Sequence, residues 1–258
     1  ERQAVQPLLA ATRQLPQRPL GRVDNHRDLS IESVRNDLAL GESALANFIC
    51  DALLARCRAQ GVAADMAMID SSVVRSGLPA GGPLTRGDWL RVMPYADTIR
   101  LLRLTGRDLY NLLQDNARRV GRLDEPHTER GFLHWSRQVR YLIDPGASRR
   151  SAGVQMATVD GSPLEWQPER ILTVACPSFV RQLAESWERR AAAELGFVPL
   201  ALQPWPAADT GLFLRQELMT YLEQAGGVTA AAGARRDGRL RVLWSTLMAR
   251  PSYVARVD

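Results

Sequence analysis

Apolar residues recur at helical spacing in four parts of the chain. The longest stretch predicts an amphipathic helix over 42–59, where apolar side chains fall every three or four residues. Thr85 and Thr105 each have an aspartate three positions later, a spacing typical of the capping box that begins a helix. The second box predicts a helix to about Arg118, and Leu212–Gln224 predicts another, closed by Gly226. The apolar positions of the longest stretch are Leu45, Phe48, Ile49, Ala52, Leu53 and Cys57.

Short apolar runs bounded by turn residues predict strands between these helices. Two of them are joined at Asp144-Pro145-Gly146, and Asp160-Gly161 predicts a further hairpin turn. Helices alternate with strands, yet some strands are linked by hairpins, so the fold class predicted is α/β (α+β): a mixed sheet flanked by helices. The predicted strands are Met66–Ile69, Thr98–Leu104, Val139–Ile143, Val154–Val159, Ile171–Ala175 and Leu240–Leu243.

The two ends of the chain differ from its middle. Residues 1–39 are interpreted as a connector helix, Glu1 to about Leu20, followed by a polar linker; Pro16 and Pro19 end the helix. The main domain is predicted over 40–245, and 246–258 is a tail. Residues 120–130 form a predicted charged loop.

The 33 basic residues among 258 are all arginine, and the formal net charge is +5. The arginines occur singly or in pairs, without a basic tract or interleaved aromatic residues, so the sequence predicts no nucleic-acid partner. Anionic small molecules are compatible with this charge. No stretch approaches the about 20 apolar residues that a membrane span requires, and we predict none.

The residues that carry most enzyme chemistry are sparse. The three histidines (His26, His127, His134) and three cysteines (Cys50, Cys57, Cys176) show no metal-ligand spacing. Nucleophile-elbow, phosphate-loop and zinc-protease motifs are absent. A two-metal hydrolase centre needs several histidine and carboxylate ligands around cations about 3.5–4 Å apart. We therefore predict neither catalytic residues nor a metal site in this chain.

Seven short motifs follow one another in the order found in a known family. Together they resemble the C-terminal domain of the 5′-nucleotidase and UDP-sugar hydrolase family, over about Leu40 to Leu243. The motifs are Gly41–Ala52, Met68–Arg75, Gly82–Asp88, Val92–Asp97, Leu104–Leu109, Gly131–Tyr141 and Asp160–Ala175.

The resemblance implies a substrate-recognition role, in which two aromatic rings stack on the base of a nucleotide. The corresponding rings are Tyr95 and Phe179, and Arg75 corresponds to an arginine that binds an anionic or polyol part of the ligand. Asp70 and Asp97 stand where the family has asparagines, and they complete the predicted substrate-binding set.

The resemblance also implies that hydrolysis and divalent metals belong to an N-terminal metallophosphatase domain or subunit, which would be the partner of this chain. No cofactor is expected in the chain itself. The implied location is periplasmic or extracellular, although no signal peptide begins this sequence.

Several positions depart from the family pattern. Ser71-Ser72-Val73 replaces a glycine loop, and ionised Asp70 and Asp97 cannot donate hydrogen bonds as asparagines do. Phe179 begins a run with apolar residues at Leu183 and Trp187, which predicts a helix that turns Phe179 toward the core. We therefore expect weak or no binding of adenosine and AMP. The alternative is a divergent structural or protein-interaction module without a nucleotide site.

Overall fold

The computed structural model describes residues 15–38, 41–120, 131–148, 150–181 and 205–244. Within these ranges the helices are α1 Ile31–Asp37, α2 Ala44–Ala59, α3 Arg86–Val92, α4 Gly106–Arg119 and α5 Leu214–Ala225.

The strands in the same ranges are β1 Pro19–Val23, β2 Met66–Asp70, β3 Gly82–Thr85, β4 Thr98–Thr105, β5 Leu133–Trp135, β6 Val139–Asp144, β7 Gly153–Val159, β8 Ser162–Pro163, β9 Ile171–Pro177, β10 Ala207–Phe213, β11 Gly227–Val228 and β12 Leu240–Val242.

A five-stranded sheet, in the order β10-β4-β9-β2-β5, lies at the centre of the fold. β2 and β9 are parallel, whereas β4 runs antiparallel to β9 and β5 antiparallel to β2. A four-stranded sheet, β12-β6-β7-β8, and a three-stranded sheet, β11-β1-β3, complete the strands of the described ranges. The predicted class is confirmed: the fold is α/β, with mixed sheets flanked by helices.

Both faces of the central sheet are buried. In β2, Ala67 and Ile69 face a core formed with α2, α3 and α5, while Met66 and Met68 face a second core formed with α4 and the four-stranded sheet. Successive strand residues point to opposite faces, so a strand covered on both sides must be apolar throughout. This is why the Met66–Ile69 run has no polar residue.

Local signals in the sequence are reproduced closely. Thr85 and Thr105 each form a complete capping box with the aspartate three residues later. Asp160 and Gly161 both have positive φ (50° and 80°), as the two-residue hairpin between β7 and β8 requires. Gly226 ends α5 in the left-handed conformation, with φ 76°.

The start of the chain differs from its prediction. Leu20 lies in β1, which pairs in parallel with β11 and antiparallel with β3, so it is not part of a helix. Leu20 and Val23 are buried in the core, and α1 follows inside the predicted linker. The packed fold therefore begins by Pro19, earlier than the predicted boundary at 40, because burial of β1 depends on partners far away in sequence. The predicted helix before residue 15, the loop from 121 on and the tail after 245 lie outside the described residues.

Across the described ranges, no helix combines the length and apolarity needed to cross a membrane.

Candidate functional site

The predicted site residues come together because of how three central strands run. β2 and β9 are parallel, so their carboxyl ends share one edge of the sheet, and antiparallel β4 begins at that same edge. Asp70 is the last residue of β2, Asp97 immediately precedes β4, and Phe179 follows β9 by two residues. Ligand sites commonly form at the carboxyl ends of parallel strands.

Tyr95 and Phe179 form a parallel ring pair at this edge. Their ring centroids are 5.7 Å apart and their planes differ by 3°. Tyr95 is 40% exposed, whereas Phe179 is half-buried and also packs against the core beneath α2. The prediction that Phe179 turns toward the core is thus only part of its arrangement. Leu183 and Trp187, which motivated it, lie outside the described residues.

The ring pair is closed to a third ring. A base inserted between two rings needs two contacts of about 3.5–4.0 Å, and hence centroids about 7–8 Å apart. A centroid distance of 5.7 Å leaves no such space, whether the rings are offset or face each other. Binding of a planar group between them therefore requires one ring to move.

Asp97 contacts the protein rather than open space. Its Oδ1 accepts hydrogen bonds from Ser178 Oγ and from the backbone N of Phe179, both at 2.9 Å. Ser178 Oγ in turn accepts from the backbone N of Thr98 at 3.2 Å. Asp97 thus connects the start of β4 to the backbone that carries Phe179.

Asp70 is completely buried. Its two carboxylate oxygens accept from the backbone N of Ser72 and of Gly131, each at 2.7 Å. Burial raises the pKa of this carboxyl, although these bonds and the nearby Arg119 oppose the change. Asp70 therefore braces the turn after β2, and its carboxylate has no surface on which to meet a ligand.

Arg75 is exposed beside this edge. Its backbone N donates to Val92 O at 2.8 Å, which ties it to the end of α3, three residues before Tyr95. Its guanidinium has no hydrogen-bond or ion-pair partner among the described residues. A cation close to the ring pair thus remains free to bind an anionic group.

Two further residues at the site were not predicted. Ser178 immediately precedes Phe179 and links it to Asp97, and Arg215, on α5, donates from Nη1 to Pro94 O at 3.2 Å. Adjacency to Phe179 was an available signal for Ser178. Arg215 carried none, because nothing in the sequence distinguishes it from the other arginines.

Behind the turn that follows β2, Ser71 Oγ lies 3.0 Å from His134 Nε2 and donates to Phe132 O at 3.1 Å. Both side chains are buried. Burial lowers the pKa of His134 to about 3, although a hydrogen bond to the Leu38 backbone opposes the change. Since neither side chain reaches the surface, the pair holds β5 against this turn.

The neutral state of His134 predicts a pH dependence of stability. Its folded pKa is below the ordinary 6.5, so unfolding takes up a proton between pH 6.5 and 3, and stability falls as pH falls through that window. We expect His134 to make the protein about 2 kcal/mol less stable at pH 5 than at pH 7. Urea unfolding of the wild type and of His134→Gln at both pH values measures this, because glutamine does not titrate. Parallel pH profiles of the two proteins would contradict the assignment.

Among the residues that the structure describes, no three histidine, cysteine or carboxylate side chains lie close enough together to hold a metal ion. Both oxygens of Asp70 are already occupied by backbone donors, so it does not provide the start of such a site.

Fold and site together define a mixed α/β domain of the kind found in 5′-nucleotidase structures. The structure is similar to that of a 5′-nucleotidase precursor from Thermus thermophilus, with a TM-score of 0.65 and 24% identity over 93% of this chain. It is also similar to a Staphylococcus aureus protein assigned as a 5′-nucleotidase and solved with α-ketoglutarate, with a TM-score of 0.61 and 17% identity over 86% of this chain. At these identities the likeness concerns the fold.

The sequence establishes the family. Residues 19–188 match the model of the 5′-nucleotidase C-terminal domain, and the chain belongs to that family. A stretch of 95 residues, 37% of the chain, is 28% identical to the trifunctional nucleotide phosphoesterase protein YfkN of Bacillus subtilis (strain 168). The chain spans 41% of the length of both solved structures and 6% of YfkN.

Proposed function

We propose that this domain recognises the nucleoside part of a nucleotide by stacking its base between Tyr95 and Phe179. The observation that carries the proposal is the parallel arrangement of the two rings, 3° apart in orientation, at the sheet edge where the strands of the site converge. Every base offers a flat π-face, and stacking on an aromatic side chain contributes about 1–3 kcal/mol per base.

Arg75 supports recognition of the charged part of such a ligand. It is exposed, and its backbone is tied to the element that leads into Tyr95. A guanidinium binds phosphate oxygens in a paired geometry. Asp70 and Asp97, predicted from sequence as ligand contacts, are assigned instead to holding the site together, since their oxygens accept hydrogen bonds from the protein.

Hydrolysis and its divalent metals are assigned to a separate metallophosphatase domain or subunit, for which this domain would supply substrate recognition. The support is the family membership and the fact that the chain spans less than half of the solved structures it resembles. We also propose a periplasmic or extracellular location, supported by the description of the Thermus relative as a precursor. No nucleic-acid partner is proposed.

The affinity is expected to be low, because binding must first separate the two rings. Stacking on both faces of a base contributes about 2–6 kcal/mol, and separating the ring pair costs about 0.5–1.5 kcal/mol. We expect adenosine, guanosine and uridine to bind with dissociation constants in the high micromolar to millimolar range. Calorimetric titration and the shifts of the Tyr95 ring resonances measure this binding.

Variants identify the site in the same titrations. Tyr95→Ala and Phe179→Ala should each weaken binding about 2- to 10-fold, and the double variant should show no saturable binding. Tyr110→Ala is a matched control, since Tyr110 is 39% exposed, close to the 40% of Tyr95, but lies on α4. The absence of saturable binding by any nucleoside to the wild type would overturn the proposal and favour the structural or protein-interaction alternative.

A further inference from the structure

The segment that carries Tyr95 is held at both ends by the start of α5. The backbone N of Leu214 donates to Asp97 O at 2.9 Å, and Arg215 donates to Pro94 O at 3.2 Å. Tyr95 therefore projects from a short loop whose two flanking carbonyl groups are fixed to one helix.

Phe179 is fixed from a different direction. Its backbone N and the hydroxyl of the preceding Ser178 both donate to the same oxygen, Asp97 Oδ1. Hydrogen bonds to an ionised acceptor are roughly twice as strong as neutral ones. One carboxylate at the end of the Tyr95 loop thus sets the position of the segment that carries the other ring.

We propose that Asp97 is a positioning residue that sets the spacing and the parallel orientation of Tyr95 and Phe179, and that it does not contact the ligand. This inference rests on the proposed function for its biological meaning, but the ring geometry is measurable without any ligand. The acceptor atom is what the role requires. Asparagine also offers an Oδ1 acceptor, whereas alanine does not.

The same contacts determine how the pair opens. The Phe179 backbone is held by Asp97, and its ring packs against the core. The Tyr95 side chain is 40% exposed, and its loop is held through backbone carbonyl groups that leave the ring free to rotate. Admission of a planar ligand therefore proceeds by displacement of Tyr95, while Phe179 remains in place as the fixed wall.

Nuclear magnetic resonance of the ligand-free chain tests the positioning role. Stacked rings shift each other's ring protons and show cross-relaxation between them. We expect both signals in the wild type and in Asp97→Asn, and loss of more than roughly half of the mutual shift in Asp97→Ala. Ser178→Ala removes one of the two donors and should give an intermediate loss.

Asp209→Ala is the matched control. Asp209 also accepts a bond next to the start of β4, from Thr98 Oγ1 at 2.8 Å, but no contact joins it to Tyr95 or Phe179 among the described residues. It should leave the ring signals unchanged. Unchanged resonances of the buried Trp89 establish that each variant is folded.

The proposal is overturned if Asp97→Ala retains the wild-type ring signals, or if Asp97→Asn loses them as alanine does. Nucleoside titration of the same samples separates the two claims. Loss of ring stacking in Asp97→Ala, together with no nucleoside binding to the wild type, would uphold the positioning role and refute the proposed function.

Discussion

Replacing Arg239 by methionine is expected to lower the free energy of unfolding by about 3–5 kcal/mol. Arg239 is 3% exposed, and its guanidinium donates to Asp51 at 2.9 and 3.1 Å and to Asp237 at 2.7 Å. Burial alone would lower the pKa of Arg239, but these two carboxylates outweigh it and raise the pKa. Methionine fills much of the space but leaves Asp51 charged, buried and short of partners.

Arg137→Met provides the control for this prediction. Arg137 binds the same Asp51 oxygen at 3.1 Å, but its side chain is 60% exposed, so its loss should cost less than about 1 kcal/mol. Its backbone N also donates to Asp51, and the substitution preserves that bond. Urea unfolding with an unchanged slope is the measurement. Equal losses in the two variants would show that burial of the ion pair does not determine its contribution.

Replacing Trp89 by alanine is expected to cost about 3–5 kcal/mol. Trp89 lies on α3, is fully buried, and meets the ring of Phe48 edge-to-face at 6.5 Å. Truncation removes a large apolar surface and leaves a cavity that the surrounding helices fill only in part. Because α3 leads directly into the Tyr95 loop, the same variant should also broaden the Tyr95 ring resonances.

The matched control is Trp166→Ala, because Trp166 is 75% exposed and lies on the turn that precedes β9. An exposed side chain of this kind should change stability by less than about 0.5 kcal/mol. Thermal and urea unfolding of both variants measure the contrast. A small loss at Trp89 would mean that the core beneath α3 collapses around the missing ring.

The elements that sequence reasoning located well depend on neighbouring residues. The capping boxes at Thr85 and Thr105 and the hairpin at Asp160-Gly161 involve contacts within three residues, so the local sequence specifies them. The family motifs work similarly, since each is a short local pattern and their order along the chain makes the match specific. The predicted mixed α/β class followed from the same local signals.

The elements that it missed depend on partners far along the chain. β1 is short and polar at several positions, and it becomes a strand only because β3 and β11 lie on either side of it. Such pairings reflect the total burial that the folded chain achieves, which local periodicity does not report.

The site shows the same division at the level of single residues. The sequence alone determined which side chains are available: two rings, one free arginine and two aspartates in place of asparagines. Only the tertiary structure decided what each does, because strand direction brings the ends of β2, β9 and β4 to one edge. There Asp70 is buried against two backbone donors, Asp97 holds the Phe179 backbone, and Tyr95 and Phe179 meet face to face. Residue type sets the chemistry of a side chain, but its partners are set by segments that meet only when the whole sheet forms.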